Sequence, residues 1–327
     1  MALTDDENMP RRVVALAGGV GGAKLADGLY RALPSDALTV VVNTGDDFRK
    51  YGLYVSPDLD TVLYTLAGLA HPVNGWGLAD DTRQMIEMMK LYGDEAWFGL
   101  GDKDLATNLL RTEALANGQP LSVITQDLAR RLGIGATLLP MSDDQVATIV
   151  DTVEYGSQNF QEYFVRFRWQ PVVKRLEYRG SESAAPAPGV LEALESADLI
   201  VICPSNPVLS IEPILQIRQI REALQNRRAP CLCVSPIIAG SALKGPAAKL
   251  MAELGMRATA AGVADYYGDL LDGFVIDDAD HASSQDISTR VWVSNIVMRD
   301  AGDRIRLASE LLAWGTELRR GSEVRGQ

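Results

Sequence analysis

Two short acidic segments carry the residues best suited to chemistry. They are Asn43-Thr44-Gly45-Asp46-Asp47 and, nine residues further on, Ser56-Pro57-Asp58-Leu59-Asp60. Both follow a glycine-rich stretch, Gly18-Gly19-Val20-Gly21-Gly22-Ala23-Lys24, which itself follows the apolar run Val13-Val14-Ala15-Leu16-Ala17. A strand, a glycine turn and a helix can receive an anion, because backbone N–H groups approach it closely and the helix dipole favours it. Carboxylates on the next loops can hold a hard cation against phosphate oxygens. The pattern points to phosphate chemistry.

Each motif also has a purely structural account. Asp58 and Asp60 fall in the first turn of an expected helix, where each gains about 0.3–1 kcal/mol from the dipole. Asp46 and Asp47 could form a polar turn. Their clustering favours function, since uncompensated carboxylates in one cleft repel unless a cation or a proton intervenes. The glycine stretch lacks the Gly-Lys-[Ser/Thr] ending of a Walker A loop, and Lys24 stands where G-x-G-x-x-G needs its third glycine. Lys24 is either a charge for the anion or an exposed helix lysine. Pro204-Ser205-Asn206-Pro207 offers short polar side chains that could read a base, sugar or phosphate, or Asn206 could stabilise its own loop.

These residues need a scaffold, and the flanking pattern supplies one. A strand over residues 13–17, a helix over 23–32 closed by Pro34, and a strand over 38–42 form a parallel unit. Ser56 and Pro57 read as an N-cap and first helical residue. Leu59, Val62, Leu63 and Leu66 follow at helical spacing. A helical section to residue 132 contains helices over 80–91 and 104–116. Residues 163–169 alternate with period two and predict an edge or antiparallel strand with Arg166 and Arg168 on one face. Residues 181–189 read as a linker. Strands over 198–203, 230–234 and 274–276 then resume, with helices from about 212 and 246 and a last one over 303–319. The expected fold is α/β, a Rossmann-like, mostly parallel sheet with helices on both faces. One domain spans 12–320, with an inserted helical and antiparallel section at about 80–180. In such sheets ligands collect beyond the carboxyl ends of the strands. The glycine turn and residues 43–47, 204–207 and 235–240 occupy those ends.

Composition narrows the partners. The 327 residues are 47% hydrophobic and 23% charged, as in ordinary globular proteins, and the net charge is −12. That charge argues against nucleic acid, whose phosphates need a basic surface. A small phosphorylated ligand remains compatible where local N–H groups or cations overcome the field. No apolar run reaches the roughly 18 residues of a membrane span. The acidic start, Met1 to Glu7, lacks the order of a signal peptide, so a cytoplasmic location is expected. Three cysteines, Cys203, Cys231 and Cys233, fit a reducing compartment as buried thiols. With only His71 and His281, neither a zinc site nor a Ser-His-Asp triad is expected.

Taken together, the motifs resemble those of the CofD/FbiA family, the 2-phospho-L-lactate transferases of deazaflavin coenzyme (factor 420) biosynthesis. The glycine stretch, residues 41–47 and residues 56–64 carry the resemblance. So do Leu100-Gly101-Asp102-Lys103-Asp104, Leu139-Pro140-Met141-Ser142-Asp143-Asp144, Pro204-Ser205-Asn206-Pro207 and Ser235-Pro236-Ile237-Ile238. The resemblance implies a donor in which guanosine diphosphate is joined to a small three-carbon acid of the phospholactate, phosphoenolpyruvate or phosphoglycerate type. It implies the deazaflavin alcohol Fo as acceptor, GMP as product and Mg2+ as cofactor. Asp46 and Asp60 would be the leading metal-contacting acids, with Asp58 beside them. Asp47 or Asp58 would orient or deprotonate the hydroxyl. Gly18, Gly19, Gly21, Gly22, Lys24, Asn43, Ser205, Asn206 and Ser235 would enclose the nucleotide portion. Phe98-Gly99 departs from relatives that carry a lysine there. Self-association as a homodimer stays open. The competing readings are a nucleotide-binding oxidoreductase, which would want an acid where Asn43 stands, and a nucleotide sensor.

Overall fold

The computed structural model describes residues 10–242 and 245–325. The acidic start, Met1 to Glu7, lies outside the described residues. Seven strands form a wholly parallel central sheet. In chain order they are β1 (Val13–Ala17), β2 (Leu38–Val42), β3 (Thr137–Pro140), β4 (Leu199–Ile202), β5 (Cys231–Val234), β6 (Gly273–Ile276) and β7 (Arg290–Val293). Their order across the sheet is β7-β6-β5-β4-β1-β2-β3. Strand order reverses between β1 and β4, which makes that crevice the switch point of a doubly wound fold.

Continuous apolar runs form these strands because both faces are covered. Val13, Ala15 and Ala17 pack into one core with Val40, Val42 and the buried side of the C-terminal helix, Ala301–Arg325. Val14 and Leu16 pack into the opposite core with Val41, Ile200 and Phe274. Helix α1 (Gly19–Ala32) follows β1, and α2 (Pro57–Leu66) lies beside it.

The section between the sheet halves differs in several places from the sequence pattern. Residues 80–180 are not one insertion, because β3 within them joins the sheet edge beside β2. Helices α3 (Gln84–Leu91), α4 (Asp102–Ala116) and α5 (Leu121–Arg131) precede β3. A separate three-stranded antiparallel sheet, Ala147–Thr152, Gly156–Asn159 and Val173–Arg179, follows it. The helix expected from residue 80 starts at Gln84. Asp81 instead accepts from the Lys103 and Asp104 N–H groups, while Asp102 accepts from those of Gln84 and Met85. Each helix start is capped from the other.

Residues 163–169 form no strand. A π-helical turn, Glu162–Arg166, sets Tyr163 into the core and stacks Phe160 on Phe164, so the alternating aromatics serve a helical face. Arg166 and Arg168 are exposed, and Arg166 pairs with Glu95. Residues 181–189 are not a loose linker either. The Ala187 N–H donates to the Met141 carbonyl, and the Ala185 N–H donates to Asp144.

Candidate active site

The glycine stretch is mostly helix. Gly18 is the extended residue before α1, and Gly19, Gly21 and Gly22 lie in its first turns. Close packing explains them. A Cβ on Gly21 would sit 2.2 Å from the Pro204 carbonyl oxygen, and one on Gly22 would sit 2.5 Å from Ser205 Oγ. One on Gly18 would come 2.5 Å from an Asp58 oxygen. The absence of side chains therefore draws the loops after β1, β2 and β4 onto one another at the switch point. Ser205 Oγ accepts from the Gly18 N–H (3.2 Å) and donates to the Gly18 carbonyl (2.9 Å).

Asn43 is the hub of this junction. It directly follows β2, and its side-chain amide donates to Asp58 (2.9 Å) and to the Leu209 carbonyl (3.3 Å). Its oxygen accepts from the Gly45 N–H at 2.8 Å, which shapes the turn carrying Asp46 and Asp47. Asp46, Asp58 and Asp60 are all buried. Burial pushes Asp46 well above the usual carboxylate range, Asp58 and Asp47 push it further, and Asn43 offsets part of the shift. Burial raises Asp58 to about 6 despite the Asn43 amide and the Gly19 N–H. Burial also raises Asp47 strongly, against the pull of Ser56 and Arg111. Ser56 is the N-cap residue of α2 with Pro57 following, but its side chain makes no capping bond. Its hydroxyl donates to Asp47 Oδ2 at 2.7 Å.

Two oxygens stand out. Asp46 Oδ1 and Asp47 Oδ1 are buried without a hydrogen-bond partner, and so are the hydroxyls of Thr44 and Thr148. Native proteins rarely leave such groups unmet. Among the described residues, no three His, Cys, Asp or Glu side chains are grouped to hold a metal by themselves. Mg2+ needs no such cage, since it binds through one or two carboxylates together with waters and substrate phosphates. The hard, unmet oxygen on Asp46, with Asp58 alongside, fits that donor set, and the one on Asp47 remains an acceptor for a proton.

Asp60 is differently placed. Arg111 of α4, only 2% exposed, bonds both of its oxygens. Arg111 and Thr148 are absent from the sequence reading. The signal for Arg111 is inverted amphipathicity, because α4 buries Asn108 and Arg111 while exposing Leu109 and Leu110.

The remaining candidates hold the frame. Asn206 Oδ1 accepts from the Val208 and Leu209 N–H groups, both at 3.1 Å, so it stabilises its own loop. Ser235 makes a local turn with Ile237. Lys24 donates to the Met298 carbonyl at 2.7 Å. Beside Asp47, Phe48 forms an aromatic group with Trp97 and Phe98, with Lys50 Nζ 4.9 Å from the Trp97 ring centre.

Fold and site define a doubly wound α/β protein with a buried acid cluster at its switch point. A family model described as 2-phospho-L-lactate transferase CofD matches residues 13–308, and the chain belongs to that family. It is 46% identical over 320 residues to a phosphoenolpyruvate transferase of Kitasatospora aureofaciens, covering 95% of this chain and all of the relative. It is 42% identical over 270 residues to a 2-phospho-L-lactate transferase of Methanosarcina mazei, covering 83% of this chain and 88% of that one. The fold matches that of a UPF0052 family member from Bacillus halodurans, with a TM-score of 0.63 at 15% identity over 92% of this chain and 98% of the other. The protein is thus a transferase of the CofD type, the type that serves coenzyme F420 biosynthesis. No described helix is long and apolar enough to cross a membrane.

Proposed function

We propose that this transferase moves a phosphorylated three-carbon acid from a guanosine-diphosphate-linked donor to the ribityl hydroxyl of Fo, releasing GMP. The hydroxyl oxygen bonds to the acid-bearing phosphorus, the bridging oxygen leaves with GMP, and the hydroxyl proton passes to a carboxylate. Phosphoryl transfer asks a protein chiefly for positioning and charge stabilisation. The observation that carries the reading is the pair of unmet, buried oxygens on Asp46 and Asp47 at the carboxyl end of β2.

Asp46, with Asp58 or Asp60 as a second carboxylate, would hold Mg2+ together with waters and substrate phosphates, neutralising charge on the transferring phosphoryl oxygens when bound. Asp47, raised by burial and buttressed by Ser56, suits proton acceptance from the hydroxyl. The start of α1 and the loops carrying Ser205 and Ser235 border the switch-point crevice where the nucleotide would lie. The rings of Trp97 and Phe98, packed on Phe48, which is next to Asp47 in the chain, suit a planar acceptor. An enolpyruvyl donor is the leading choice, because the relative matched over its whole length bears that name. A pocket separates acids that differ by a methyl or methylene by only about 1–3 kcal/mol, so related donors should react more slowly rather than not at all.

The test is competition. Purified protein, Mg2+, Fo and the three guanylylated donors are combined, and GMP and product masses are measured. A deazaflavin phosphodiester carrying enolpyruvate as the main product supports the reading. Failure to form any deazaflavin phosphodiester overturns it.

A further inference from the structure

Two rungs tie α2 to α4 directly behind the acid cluster. Asp60 and Tyr64 are one helical turn apart on α2, and Asp104, Asn108 and Arg111 share one face of α4. Arg111 Nη1 donates to Asp60 Oδ2 at 3.1 Å and to Asn108 Oδ1 at 3.0 Å, while Nη2 donates to Asp60 Oδ1. On the second rung, the Tyr64 hydroxyl donates to Asp104 Oδ1 at 2.8 Å. Both members of the first rung are buried.

A buried ion pair is a poor way to gain stability, because desolvation offsets most of the attraction and apolar residues of similar volume serve packing as well. A planar guanidinium fork excels at something else, the fixing of a carboxylate in one orientation. We infer that Arg111, itself oriented by Asn108, is a positioning residue for transfer, holding the Asp60 carboxylate in register with the acid loop that carries Asp46 and Asp47. Each Asp60 oxygen has a second lone pair, so the fork leaves acceptor capacity while removing rotational freedom. Groups that orient a metal-facing carboxylate typically change affinity or activity by about 10–100-fold when removed. The inference rests on the phosphoryl-transfer reading above.

The experiment compares wild type with Arg111→Gln, Arg111→Lys and Asn108→Ala. Three quantities are read: kcat and KM for the donor, the melting temperature, and Mn2+ binding in the presence of GMP by water-proton relaxation. Arg111→Gln should lower kcat about 100-fold and weaken Mn2+ about 10-fold with little change in donor KM. Arg111→Lys restores the charge without the fork, so Mn2+ binding should recover more than kcat. Asn108→Ala leaves both charges in place and should lower kcat several-fold with a small change in melting temperature. A folded Arg111→Gln enzyme with wild-type kcat and Mn2+ affinity overturns the inference. If that variant does not fold, Asn108→Ala decides, and unchanged kcat and Mn2+ binding there overturns it equally. A wild-type protein that forms no deazaflavin product defeats the underlying reading instead, and Mn2+ binding still reports on Arg111.

Discussion

Asp46 and Asp60 are both buried acids, but one carries an unmet oxygen and the other is held by a guanidinium. In the proposed reaction each supplies negative charge that an amide cannot. Asp46→Asn and Asp60→Asn should therefore each lower kcat by about two orders of magnitude, the scale of losing one preorganised electrostatic group. Their circular dichroism should match wild type, and near-normal turnover of both at limiting Mg2+ would discard the assignment. Asp58 makes a pH-dependent prediction. Burial raises its folded pKa to about 6, above the ~3.9 of an unfolded chain, so the folded state holds its proton more tightly. Its contribution to stability is then greatest at low pH and falls as pH rises from about 4 to about 6. Asp46, Asp47 and Asp104 are raised too and slope the same way. Asp58→Asn should therefore make a plot of melting temperature against pH in chelator shallower over this range, and an unaltered slope would contradict the assignment.

Elements meet at the switch point through missing side chains. Helix α1 approaches the loop after β4 so closely that a methyl on Gly21 must displace the Pro204 carbonyl. Gly21→Ala should cost about 1–3 kcal/mol, the usual penalty for overpacking a tight contact. Urea unfolding measures it, and an unchanged midpoint would mean that the loop yields freely. Helices α3 and α4 show the complementary device. Asp81 and Asp102 exchange caps, and a Cβ on Gly101 would fall 1.9 Å from an Asp81 oxygen. That exchange sets where α4 begins, and therefore where Arg111 falls relative to Asp60.

Across the whole molecule, every parallel strand delivers its carboxyl end to one edge, so the acid cluster sits on a sheet sealed by two apolar cores. The three cysteines report on that seal. Cys203, Cys231 and Cys233 are buried and free, and burial raises all three thiols, Cys231 to about 12. Thiolate, the reactive form, is thus scarce in the native state. A disulfide reagent should label none of them until the chain unfolds, with labelling tracking loss of circular dichroism in urea. Fast labelling of native protein would show that the core opens locally.

The chain's local pattern determined the α/β class, the strands that feed the loops, the three buried cysteines and the acidic and glycine motifs. Strands buried on both faces must be apolar throughout, and the glycines that let α1 approach its neighbours sit in one short run, so these features are written in neighbouring residues. Tertiary structure decided the rest. That the glycines accommodate Pro204, Ser205 and Asp58 depends on contacts between residues far apart in the chain. The alternating aromatics over residues 163–169 looked like a strand because period two and a tight helical turn both bury rings, and only the neighbouring sheet selects between them. Arg111 was invisible as a partner of Asp60, 51 positions away, because no local rule joins a carboxylate on one helix to a guanidinium on another. Packing alone brings their charges together, and burial then makes that meeting strong.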